Sequence, residues 1–196
     1  QMAINAFGNR PEFYDIHKTA AAQLAKKYPN HEYTAQYATF ATGLEQAAAQ
    51  GQASEAIQVG MPAPNITLAS PDGKNYSLAD LKGKVVLLDF WASWCGPCRT
   101  SNKELTKIYP KYKNKGFEIL GVSLDDDLSK WKKAITKDKI TWLQVNEPGG
   151  WQAKTAINWN ISAIPTSFLI DKEGRLIAMD LSGKELEKAL KYLIDK

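Results

Sequence analysis

Apolar positions recur at helical spacing through the first part of the chain and give way, after Gly51, to short runs of β type. The early pattern predicts two helices, one from Pro11 to Tyr28 that Pro29-Asn30 stops, and one from Glu32 to Gln50. Tyr33, Tyr37, Phe40 and Leu44 fall on one face of the second and are expected to pack on a neighbour. Gly60, Pro62 and Pro64 cannot continue a helix, so the division is placed near Val59, giving a helical extension over 1–58 and a main domain over 59–196.

In the main domain, Ile66–Ala69 and Lys74–Ser77 flank the turn Ser70-Pro71-Asp72-Gly73, the pattern of a small hairpin. Val85 to Phe90 is a nearly continuous apolar run, as expected of a strand covered on both faces. A long helix should follow, ending near Lys113 with a kink near Pro110, and then a strand from Phe117 to Ser123. Leu128–Lys137 reads as a helix capped by Asp127, Trp142–Val145 as a strand, and Trp151–Trp159 as a helix. Strands at Phe168–Ile170 and Arg175–Ala178 flank a turn at Asp171–Gly174, and a helix from Lys184 closes the chain. Together these elements predict an α/β fold whose sheet mixes parallel and antiparallel strands.

Composition narrows the function. An apolar fraction of 44% and a charged fraction of 23% are those of a folded globular protein. A formal charge of +4, without a basic block, gives no reason to expect nucleic acid as a partner. No apolar run is long enough for a membrane span. The chain starts with Gln1 rather than Met, and the expectation is a trimmed or mature form whose targeting segment has been removed. His17 and His31 are read as solvated or packed, not as metal ligands, and Asp125-Asp126-Asp127 as a solvated helix start.

The chemistry concentrates in Trp91-Ala92-Ser93-Trp94-Cys95-Gly96-Pro97-Cys98-Arg99, where a buried strand ends and a helix begins. A cysteine at that junction meets unpaired backbone N–H groups and the positive end of the helix dipole, which favour its thiolate. Cys95 is therefore the expected nucleophile and Cys98 the resolving thiol. Gly96 permits close backbone approach, and Pro97 suits a first helical turn. A zinc site would need a second cysteine pair, and haem attachment would need His where Arg99 stands. No metal and no cofactor beyond a redox-active disulfide is expected.

Trp-Cys-Gly-Pro-Cys after a β-run is the thioredoxin active-site motif. With Gly60-Met61-Pro62-Ala63-Pro64, the Leu78 to Lys84 lead-in, and Ile164-Pro165-Thr166, residues 59–196 resemble the TlpA and ResA type of thioredoxin-like reductase. The resemblance implies a thioredoxin fold with an N-terminal hairpin and a central helix-strand insert, preceded by the small helical extension. It also implies reduction of protein disulfides in a periplasmic or other extracytoplasmic compartment, with a membrane-bound electron donor and a tether outside this sequence. By the same resemblance Pro165 is a cis proline facing the cysteines, Ile164 offers its backbone to a substrate chain, and Asp89 is the buried acid that takes the proton of the resolving thiol.

Two positions depart from that family: Ser101 stands where a Glu is common, with Glu104 one turn on, and the cation held near the buried acid of thioredoxin is missing from Ile119–Ser123. Trp91 and Trp94 flank the motif as a docking rim, with core packing the stronger expectation for Trp91. Trp131, Trp142, Trp151 and Trp159 are read as core. Two other functions compete. A thioredoxin-fold peroxidase would need Pro and Thr at the positions held by Leu88 and Ala92. An assembly module would use the N-terminal helices to hold a partner.

Overall fold

The computed structural model describes residues 14–29, 31, 33–39, 41–42 and 57–194. The chain divides into two compact units, Gln1–Glu55 and Ala56–Lys196. In the first, helix α1 covers Tyr14–Lys27, and residues 33–39 and 41–42 are helical. His17 Nδ1 and Tyr37 Oη lie 2.7 Å apart, a polar contact between the two helices. Tyr33 is exposed, with its ring stacked on that of His31 at 5.4 Å between centroids. The expected helical residues Pro11–Phe13, Phe40 and 43–50 lie outside the described residues.

The second unit is built on seven strands: β1 (Thr67–Ala69), β2 (Asn75–Ser77), β3 (Val85–Trp91), β4 (Phe117–Ser123), β5 (Leu143–Asn146), β6 (Thr166–Ile170) and β7 (Leu176–Met179). They lie side by side in the order β2-β1-β5-β4-β3-β6-β7. The three central strands β5, β4 and β3 run parallel, while β1, β2, β6 and β7 join by antiparallel pairing. The apolar run at 85–91 dictates this centre: every residue of β3 is buried, which only a strand covered on both faces allows.

Helices follow from local signals. α2 (Gly96–Tyr112) starts at the Cys95 N-cap and runs through Pro110 in its last turn. α3 (Leu128–Lys137) is capped by Asp127, whose carboxylate accepts the N–H groups of Ser129 and Lys130. α4 (Lys154–Asn158) is short, and α5 (Gly183–Ile194) closes the unit. The helix expected over Trp151–Trp159 is instead a 3-10 turn, Gly150–Gln152, followed by α4. Gly149 and Gly150 have φ of 112° and 54°, left-handed conformations that delay the helix.

Alternation along β3 sorts two cores. Val85, Leu87 and Trp91 meet α2, α3 and α5 through Leu105, Ile108, Tyr109, Trp131 and Leu186. Val86, Leu88 and Phe90 meet the other layer, which includes Leu78, Leu81, Ala156, Trp159 and Phe168. Each such fully buried side chain contributes about 1.5–3 kcal/mol. Asp89 shares the face of Leu87 and Trp91 by the same alternation, so β3 carries a carboxyl into the layer beneath α2. No helix among the described residues is long and apolar enough to cross a membrane.

Candidate active site

β3 delivers the chain to the C-terminal end of a central strand, and α2 begins with the cysteines. Cys95 and Cys98 are joined in a disulfide with Cα atoms 5.3 Å apart. The Cys98 backbone N–H donates to Cys95 Sγ at 3.1 Å, which makes the Cys95 sulfur the cap of the helix. Such a position stabilises negative charge on that sulfur through the helix dipole and an N–H with no intrahelical acceptor. Cys98 lies one turn inward and is more deeply buried than Cys95.

The peptide Ile164-Pro165 is cis, and the Ile164 carbonyl oxygen lies 3.7 Å from Cys95 Sγ. Gly96 and Pro97 are exposed at the start of α2. A Cβ at Gly96 would meet nothing within 4 Å, so the protein's own packing does not require glycine there. Its absence keeps the surface beside the sulfur low.

Asp89 is 3% exposed and pairs across the sheet with Ser167. Burial, followed by the charge of Asp180, pushes its carboxyl from the ordinary 3.8 up to about 7. The nearby charge is thus another acid, not a cation. A cavity of about 20 Å³, room for roughly one water, is lined by Asp89, Ser101, Glu104, Ser167 and Ser182 among others. Ser101 and Glu104, singled out by their spacing from Cys98, therefore share the cavity onto which Asp89 opens.

A second carboxylate was misread by its pattern. Asp125 is 1% exposed, not solvated, and accepts from Ser93 N–H at 2.8 Å, Ser93 Oγ at 2.5 Å and Ser123 Oγ at 2.8 Å. It anchors the loop that leads to Cys95. Arg99 braces the same loop, with its guanidinium on both carboxylate oxygens of Asp138 and an N–H to Ser93 O at 3.1 Å. Asp138, through this hydrogen bond, holds the Arg99 pKa above its ordinary value. Nothing in the local sequence paired these residues, which are 32 and 39 positions apart.

Trp91 is fully buried, so it belongs to the core, and its indole N–H donates to Gln144 Oε1 at 2.9 Å. Trp94 is exposed at the rim. Trp131, Trp142 and Trp159 are buried as their setting implied, whereas Trp151 is exposed. Among the described residues, no three His, Cys, Asp or Glu side chains form a metal-binding group.

Residues 58–193 match the family model described as Redoxin. The thiol-disulfide oxidoreductase ResA of Bacillus thuringiensis subsp. konkukian (strain 97-27) is 34% identical over 142 residues, covering 72% of this chain and 80% of that protein. ResA of Bacillus subtilis (strain 168) is 33% identical over 125 residues, 63% of this chain and 67% of its own length. The thioredoxin domain of a thiol-disulfide oxidoreductase from Bacteroides vulgatus superposes with a TM-score of 0.65 at 38% identity, over 70% of this chain and 98% of that one. The C-terminal domain of a related protein from Bacteroides thetaiotaomicron gives 0.67 at 35%, over 71% and 97%. The matched region contains the whole sheet and the disulfide beyond the C-terminal end of β3, and the chain belongs to the Redoxin family as one of its thiol-disulfide oxidoreductases.

Proposed function

We propose that the chain reduces disulfides of polypeptides outside the cytoplasm, with Cys95 as nucleophile. The observation that carries the choice of nucleophile is the Cys98 N–H donated to the Cys95 sulfur at the N-terminus of α2, which favours thiolate at Cys95, while likeness to the ResA oxidoreductases supports the direction and the compartment.

In the dithiol form, Cys95 thiolate attacks one sulfur of the substrate disulfide. The substrate S–S bond breaks, a bond forms to Cys95 Sγ, and the other substrate sulfur leaves as thiolate and takes up a proton. Cys98 then loses its proton to the Asp89 carboxylate and attacks Cys95 Sγ. The second substrate thiolate leaves, is protonated, and the enzyme is left with the Cys95–Cys98 disulfide seen here. Two electrons and two protons have passed to the substrate. Asp89, with its carboxyl near 7, holds and releases a proton at working pH. The cavity lined by Ser101 and Glu104 gives that proton a way out.

The substrate backbone lies against Ile164 and Pro165, over the low surface of Gly96 and Pro97 and beside Trp94. The 3.7 Å separation of Ile164 O from Cys95 Sγ supports this placement. A membrane-bound dithiol donor returns the two electrons. Two boundaries belong to the same proposal: residues 1–58 form a separate helical extension, and 59–196 carry the activity.

The test is the equilibrium of the cysteine pair with glutathione together with catalysed insulin reduction. A strongly reducing pair, activity abolished in Cys95→Ser, and a stable mixed disulfide trapped by Cys98→Ser are expected. A pair more oxidising than glutathione would reverse the assigned direction.

A further inference from the structure

The protein has six tryptophans, and four of them are buried. The two that are not, Trp94 at 58% and Trp151 at 42% exposure, meet each other beside the disulfide. Their ring centroids are 6.3 Å apart at 67°, an edge-to-face contact. We propose that Trp151 is a specificity-determining residue that, with Trp94, forms an apolar ledge for an aromatic or aliphatic side chain flanking the reactive cysteine of a substrate polypeptide. The proposal rests on the disulfide-exchange reading and names the substrate class for it.

The ledge is held in place from one loop. Asp125 secures Ser93, next to Trp94. Its neighbour Asp126 accepts the Gly149 N–H at 2.7 Å, two residues before Trp151. Glu147 ties the far side of that segment by accepting the Thr155 N–H at 2.7 Å. These contacts fix the backbone on either side of the two rings, which meet each other at the surface instead of joining the core and so present apolar area to an incoming chain.

Continuity with the reaction centre fixes what must pass over it. Trp94 is covalently adjacent to Cys95, whose own exposure is only 6%, so a chain bonded to that sulfur has to lie against its rim. Arg99 is engaged by Asp138 and Asp125 by Ser93 and Ser123, while Asp126 and Glu147 each hold a backbone N–H of the segment that bears Trp151. The two exposed rings themselves are the apolar surface beside the sulfur, and it is they that select an apolar flank.

The test uses three peptides of one sequence, each with a disulfide and with Phe, Asp or Lys beside the reactive cysteine. Full-length protein is expected to favour the Phe peptide by about tenfold in kcat/KM, the scale of one apolar side-chain contact, with the difference in KM. In Trp151→Ala the ratio should fall toward one, and Trp151→Phe should keep most of it. A general structural defect would lower all three peptides alike and leave the ratio intact. Formation of the Cys95 mixed disulfide by Cys98→Ser with each peptide measures the same preference whatever the physiological direction. If no peptide is reduced yet the Phe mixed disulfide is favoured, the reductase reading fails and the ledge stands. Equal values for the three peptides in wild-type protein, or a preference that survives Trp151→Ala, would overturn the ledge.

Discussion

Gly121 faces Gln144 across the parallel register of β4 and β5, and the Gln144 side chain fills the volume in which a Cβ at 121 would lie. That side chain also accepts the indole N–H of Trp91, one strand further over. A methyl at 121 has to push Gln144 off its partner. Gly121→Ala is expected to lose about 1–3 kcal/mol of stability in urea unfolding and to shift the Trp91 indole N–H resonance.

Asp89 ties stability to pH. Its carboxyl is raised from 3.8 to about 7 in the folded chain, chiefly by burial, so between those values the folded state holds a proton that the unfolded state has lost. Stability is therefore full below the unfolded value and falls as pH rises through the window. Asn at this position has no proton to lose. Relative to wild type, the oxidised Asp89→Asn variant should gain on moving from about pH 4 to pH 8, by on the order of 4 kcal/mol at most. Thermal unfolding at the two pH values checks this, and a constant difference would contradict it. Its resolving step should meanwhile be slowed.

Ser101 lines the cavity of Asp89 without adding charge. Ser101→Glu would place a second carboxylate beside an acid that Asp180 already disfavours ionising. The Asp89 carboxyl should then titrate above its present value near 7, seen directly by carboxyl NMR and as a matching rise in the pH at which resolution reaches half its maximal rate.

Asp125 binds three donors in a buried setting, and removing such an acceptor strands them. Asp125→Ala should cost about 3 kcal/mol and change the rate of Cys95 alkylation in the reduced protein. Asp125→Asn, which keeps one acceptor oxygen for the Ser93 N–H, should lose less of both.

The elements near the cysteines were legible because their signals are local. The apolar run of β3, the Cys95-Gly96-Pro97-Cys98 junction and the Asp127 cap each carry their reason within a few residues. The braces of the site were not legible in that way. Asp125 looked like part of a solvated acidic run, and only the meeting of the β4–α3 loop with Ser93 shows that it is interior. Trp151 was expected in the core because tryptophans in such a helical segment are more often packing residues than surface ones. Two left-handed glycines turn that segment into a short loop and leave the ring outside. Asp89 was recognised as a buried acid in an apolar strand, but the acidic company of Asp180 comes from across the sheet.

Asp125 and Asp126 are neighbours in the chain yet serve different clients, the first the loop before the cysteine and the second the loop that bears Trp151. For protein engineering this makes residues 148–152, between the Glu147 tie and the buried Ala153, an exchangeable cassette. A replacement loop that keeps an N–H for Asp126 can present a new surface to new polypeptides, while the sulfur chemistry stays moored to Asp125.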